Sequence, residues 1–92
     1  MNTEFLTKHA EIRVRQRAIP PVVVDWLELF GTVEHQADAE LVYFDRHSLR
    51  KLASYTGGFS GRLENINNAY LIRGNNGRIL TAGYRDKHIT RK

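Results

Sequence analysis

The stretch "AYLIRGNNGRILTAGY", Ala69 to Tyr84, limits the fold more than any other part of the chain. Two segments that favour strands flank Asn75, Asn76 and Gly77, residue types that tolerate the positive φ angles of tight hairpin turns. The alternation on either side has the period of two that a half-buried strand needs. A β-hairpin therefore closes the chain, and the preceding residues must supply a layer for it to pack on.

The N-terminal half supplies helices. Leu6, Ala10 and Val14 recur every four residues with no Gly or Pro between Thr3 and Ala18, which predicts a helix over that span. Pro20 and Pro21 end it, because the residue before proline is pushed out of helical geometry. Proline is accommodated in a first helical turn, so "PPVVVDWLELFG" predicts a second helix, with Val23, Trp26, Leu27 and Phe30 inward and Gly31 as its stop. The period then changes. Leu41 and Tyr43 alternate with Val42 and Phe44, which predicts one or two strands with a turn at Ala37 to Glu40. Asp45 is placed to cap a third helix, "RHSLRKLASYT", whose stripe is Leu49, Leu52 and Ala53 and which Gly57 and Gly58 break. Phe59, Leu63 and Ile66 have the spacing of a short fourth helical segment. The expected architecture is one α+β domain over residues 1–92: two N-terminal helices packed on a small antiparallel sheet, a further helix inserted between strands, and a C-terminal β-hairpin.

Composition narrows the chemistry. A chain of 92 residues builds one core, and with no cysteine it has no disulfide framework, thiolate nucleophile or cysteine-based metal site, which suits a reducing cytoplasm. "MNTEFLTKHAEIRV" has no apolar leader, and no apolar run approaches the roughly 20 residues of a membrane span, so the chain reads as cytoplasmic with no membrane partner. Fourteen Lys and Arg oppose ten Asp and Glu, for a net charge of +4, and ten of the fourteen are arginine. Arginine's planar fork recognises phosphate and carboxylate, so polyanionic or acidic partners fit best. Walker loops, dinucleotide fingerprints, HExxH and G-x-S-x-G are missing, and His9, His35, His47 and His88 lack metal-ligand spacing. No metal or cofactor is expected.

The basic residues fall into three groups. His9, Arg13 and Arg17 are spaced four apart and run through the apolar arc of Phe5, Leu6, Ala10, Ile12 and Val14, while Lys8, Glu11 and Arg15 face water. Desolvating an arginine costs several kcal/mol unless it is paired. Either Glu34, Asp38, Asp45 or a strand-end carbonyl meets the stripe, or it lines a groove where a phosphate or an acidic partner supplies the charge. The second group, Arg46, His47, Arg50 and Lys51 on the third helix, has the spacing of a solvated face. The third is "GYRDKHITRK", which reads as a solubilising tail or as the interleaving of an aromatic with bases that single-stranded nucleic acid sites use. Metal-free RNA cleavage needs a group to deprotonate the 2′-hydroxyl, cations around the phosphate and an acid for the leaving oxygen. The catalytic candidates are His9, His88, Tyr84 and Arg85; the candidates for holding nucleic acid are Arg13, Arg17, Arg50, Lys51 and Lys87.

Two resemblances attach to these residues. "HAEIRVRQRAIPPVVVDWLELFG" resembles a family of small bacterial domains, often found in mobile elements, that open H-A-x-x-R-x-x-x-R-x-I; His9, Ala10, Arg13, Arg17, Ile19 and Gly31 carry the match. "AYLIRGNNGRILTAGYRDKHI" resembles the terminal hairpin of RelE/ParE-type toxins, through Gly83, Tyr84, Arg85, Asp86 and Lys87. The second resemblance implies helices against a curved antiparallel sheet and, in the ribonuclease members, basic and aromatic catalytic residues around the last strand. The expected function is a toxin-like protein of a bacterial mobile element acting on RNA or the ribosome, with an antitoxin or a second copy of the chain as further partners. The alternative is a non-enzymatic phage or plasmid accessory protein that inhibits a host protein or nucleoprotein complex.

Overall fold

The structure, a computed structural model, describes residues 6–85. The chain runs α1 (Lys8–Gln16), α2 (Pro21–Phe30), β1 (Thr32–Gln36), β2 (Ala39–Tyr43), α3 (Arg46–Thr56), two 3-10 turns (Phe59–Arg62 and Ile66–Asn68), β3 (Ala69–Gly74) and β4 (Ile79–Tyr84). The strands form one antiparallel sheet in the order β1-β2-β3-β4. This is the predicted α+β arrangement, with α3 between β2 and β3 and the hairpin at the C-terminal end. Among the described residues no helix is long and apolar enough to cross a membrane.

α1 is shorter than the periodicity predicts. Leu6 forms a parallel bridge with Ile79, and the Thr7 N–H donates to the Ile79 carbonyl at 2.9 Å, so the chain leaves β4 extended. Thr7 then caps the helix, its hydroxyl accepting from the Ala10 N–H at 3.1 Å. At the other end Ala18 takes a left-handed φ of 52°, and the Ile19 N–H returns to the Val14 carbonyl at 3.0 Å. A residue with a Cβ therefore occupies the helix-ending position that glycine usually fills. Only Ala10 and Val14 of α1 are buried, because the helix rests on the edge strand β4; Ile12, expected in the apolar arc, is exposed.

The core is a single cluster. Val42, Leu71 and Ala82 lie side by side across β2, β3 and β4 on one face of the sheet, and Val23, Val24, Trp26 and Leu27 of α2 join them. Burying side chains of this size contributes about 1.5–3 kcal/mol each. Where α2 turns into β1, Gly31 has an ordinary φ of −63°, so conformation does not demand glycine there. Space does: a Cβ would stand 2.6 Å from both the Leu27 carbonyl oxygen and Val42 Cγ1.

β4 departs from simple alternation. Ile72 pairs with Thr81 but Arg73 pairs with Ile79, which leaves Leu80 as the extra residue of a bulge. The bulge reverses the phase of the strand, so Ile79 and Ala82 are both buried although three positions apart. In the hairpin turn only Gly77 adopts a positive φ, 85°, whereas Asn76 contributes its side-chain oxygen, which accepts from the Arg78 N–H at 3.0 Å. The first hairpin turns at Ala37–Asp38, tighter than the predicted Ala37 to Glu40, and the predicted fourth helical segment is the pair of 3-10 turns.

One ionic cluster ties α2 to the sheet. Arg73 donates to Glu40 at 2.8 Å and to Glu28 at 2.7 Å, and His35 lies 3.3 Å from Glu40. Desolvation works against the Arg73 charge, but its bonds to Glu40 and Glu28 outweigh it and raise the guanidinium above its ordinary range.

Two backbone positions have opposite expected responses. Ala18→Gly removes a Cβ from a left-handed residue and should raise the unfolding free energy by about 1 kcal/mol, read from urea titration. Gly31→Ala should lower it by about 1–3 kcal/mol, because both contacting groups belong to packed elements.

Candidate nucleic-acid interface

The sheet face opposite the core carries a different set of side chains. Strand pairing aligns Thr32, Tyr43, Tyr70 and Gly83 in one row across β1, β2, β3 and β4, with Glu34, Leu41, Ile72 and Thr81 in the next. None of these residues belongs to the buried core cluster. Arg85 continues the ladder past β4, its N–H donating to the Asn68 carbonyl at 2.9 Å. Its guanidinium carbon lies 5.1 Å from the Tyr43 ring centroid and 5.9 Å from that of Tyr70, within cation–π range of both.

Arg17 enters the same row from the β4 side. Its Nη1 donates to the Ala82 carbonyl at 2.8 Å, and a Cβ at Gly83 would stand 2.5 Å from that nitrogen and 3.1 Å from the Tyr70 hydroxyl. The missing side chain of Gly83 is what lets a guanidinium lie across the strand beside Tyr70. A strand carbonyl therefore meets Arg17, one of the two structural outcomes its spacing allowed. Arg13 is met within its own helix: Nε donates to His9 Nε2 at 3.3 Å and Nη1 to Gln16 Oε1 at 3.1 Å.

The N-terminal turns of α3 flank the end of this face. Together with Tyr43, Phe44, Asn67, Asn68 and Arg85 they bound an open groove of about 800 Å³, which Arg46 and Arg50 also line. Its one acidic lining residue, Asp45, is engaged as a helix cap: Oδ1 accepts from the Ser48 N–H at 2.8 Å, and the Asp45 N–H donates to the Ser48 hydroxyl at 2.8 Å. The Ser48 N–H first, and with it the Ser48 and Thr32 hydroxyls, hold the carboxyl below its ordinary value of 3.8 against the opposing effect of desolvation. Among the described residues, no carboxylate lies within ion-pair distance of Arg17, Arg46, Arg50 or Arg85.

The candidates taken from the sequence divide. Arg17 and Arg85 share the face opposite the core, where Gly83 is buried and Tyr43, Tyr70 and Arg85 are partly buried, and Arg50 joins Arg85 at the groove. Lys51 is exposed on α3 outside the groove lining. His9, expected along the packing side of α1, is exposed and bonded to Arg13. It also stands at the wrong end of β4 to meet Arg85: Thr7, which opens α1, bonds to Ile79 and Leu80, and Arg85 lies roughly 16 Å further along the strand at the usual rise. Tyr84 falls on the core face beside Ala69 and packs against the core; burial, and then the charge of Glu64, push its phenol up, so it keeps its proton at neutral pH. His88 and Lys87 lie outside the described residues. Tyr43, Tyr70, Arg46, Asn67 and Asn68 were not among the candidates. The signal for the tyrosines was the alternation itself, since each is offset by one residue from a core position, Val42 and Leu71. Among the described residues no three His, Asp or Glu side chains come close enough together to hold a metal ion.

The Asp45 cap predicts a pH dependence. A carboxyl whose folded value is depressed stabilises the fold at pH above its unfolded value and loses that contribution as pH falls through its folded value. Asp45→Ala should cost about 1 kcal/mol at pH 7, and the gap from the parent should close below about pH 4 in denaturation curves taken across pH. No family model, curated protein or solved structure matches this chain.

Proposed function

We propose that this protein is a toxin-like domain of a bacterial mobile element that acts on RNA or the translation machinery, and that the open sheet face is where it holds single-stranded RNA. The observation that carries the reading is Arg85, stacked toward two tyrosines on a face outside the core with no carboxylate partner among the described residues. Single-strand sites combine such parts: cations track the phosphates and aromatic rings stack the bases. Arg17, held by Ala82 beside Tyr70, adds a second cation whose position is set by the backbone.

For cleavage, Arg85 and Arg17 supply the charge stabilisation that a pentacovalent phosphate requires. Proton transfer needs a further group at this end of the sheet. The Tyr43 and Tyr70 hydroxyls stand on this face, and His88 is close to Arg85 in sequence.

The test is fluorescence anisotropy with an unstructured 12-nucleotide RNA. Affinity should fall steeply with salt, Arg85→Ala should reduce the salt slope by about one, and Tyr43→Ala should weaken binding by about 1–3 kcal/mol. Lack of binding at low salt, with a host protein co-purifying instead, would favour the alternative of a protein inhibitor whose basic face meets acidic side chains.

A further inference from the structure

The two edges of the sheet are finished differently. On the β4 side Leu6 bridges to Ile79, the Thr7 N–H bonds to the Ile79 carbonyl, Arg17 takes the Ala82 carbonyl, and α1 rests on the strand. On the other side, among the described residues, no strand pairs with the outer edge of β1, and α2 packs chiefly on β2 and β3. β1 is exposed from Val33 to Gln36, keeps an unshifted register with β2 and contains no proline, lysine or bulge, the usual devices that blunt an edge. Its hydrogen-bonding phase follows from the hairpin. With a two-residue turn at Ala37–Asp38, Gln36 and Ala39 exchange backbone bonds, and so do Glu34 with Leu41 and Thr32 with Tyr43. The N–H and C=O groups of Val33 and His35 therefore point outward, away from β2.

We infer that this edge pairs with the β1 edge of a second copy of the chain, antiparallel about a two-fold axis at Val33, to make one continuous sheet. The side chains choose the centre. An axis at Glu34 would set two carboxylates directly opposite each other, and an axis at His35 two imidazoles. An axis at Val33 instead joins two β-branched apolar side chains on the core face, where Val33 is 39% exposed although its cross-strand neighbour Val42 is buried. Glu34 then falls opposite Thr32 of the second copy, and His35 opposite its Gly31, whose carbonyl can accept from the outward His35 N–H. The helices of both copies lie on one side of the joined sheet and the two open faces on the other. A five-residue edge is about 17 Å long and buries less than the roughly 1,200 Å² of a standard interface, so the dimer is a weak one. The net charge of +4 on each copy opposes association, so salt should strengthen the dimer, the reverse of its effect on RNA binding.

The chain has no cysteine, so single cysteines report the register. Opposed residues of a hydrogen-bonded antiparallel pair have Cα atoms about 5.5 Å apart, within disulfide range. Val33→Cys should therefore form a disulfide-linked dimer under mild oxidation. His35→Cys, roughly 14 Å from its counterpart along the strand, should cross-link about tenfold more slowly or not at all. Sedimentation equilibrium of the parent up to about 1 mM, at raised salt, should show monomer and dimer in exchange. Val33→Lys should abolish the dimer, and Ile12→Lys, at an exposed position of α1, should leave it unchanged. Each variant is checked for parental thermal unfolding, and the cysteine pair keeps the test available if Val33→Lys folds poorly. A parent that stays monomeric, cross-linking that favours His35→Cys, or a folded Val33→Lys variant that still dimerises overturns the inference. The RNA reading is decided separately by anisotropy and stands or falls without it.

Discussion

The bulge at Leu80 is the constraint on which the rest of the structure depends. An unbroken β4 would put Ile79 and Ala82 on opposite faces of the sheet, since side chains alternate with a period of two. The extra residue brings both into the core, where Ile79 pairs with Leu6 and Ala82 packs beside Leu71 and Val42. That gives α1 a strand to rest on. The same phase change sends Gly83 and Arg85 to the open face and Tyr84 to the core, so one irregularity decides both the seat of the first helix and the membership of the candidate site.

Charge is distributed to the same effect. Glu28 and Glu40 neutralise the half-buried Arg73 and tie α2 to the sheet, and Asp45 caps α3. These acidic groups are engaged on the helix side of the domain. Among the described residues, Arg17 and Arg85 meet a backbone carbonyl and tyrosine rings, and no carboxylate pairs with them or with Arg46 and Arg50. A surface arginine in water needs no partner, so any one of them would be unremarkable. Their convergence from the end of α1, from α3 and from the end of β4 toward a tyrosine row is what the proposed RNA-holding role draws on.

Much of the fold was legible in the chain, and the reasons are local. Pro20 and Pro21, Gly31, and Asp45 with Gly57 mark helix ends through steric and hydrogen-bonding preferences that act within a few residues. The hairpin is announced by its turn residues and by alternation. The extent of α1 was not legible, because it is set by a bridge between Leu6 and Ile79, residues far apart in sequence. The membership of the candidate site was only partly legible. The sequence reading paired arginine with Tyr84, whereas the rings that Arg85 meets are those of Tyr43 and Tyr70, since the bulge shifts the face on which each residue of β4 lies.

The sequence by itself determined the elements of this protein, their order, the α+β class and an excess of arginine, because propensity, capping and charge are properties of short stretches of chain. The tertiary structure alone decided which arginines and aromatics meet. Arg17 reaches Gly83 across a strand, Arg85 lies over tyrosines from two other strands, and His9 is kept at the far end of β4. Strand register and one bulge set those contacts, and both follow from packing of the whole core. The dense basic run of α1 shows the division: His9 and Arg13 bond to each other on the helix, and only Arg17, beyond its end, reaches the sheet.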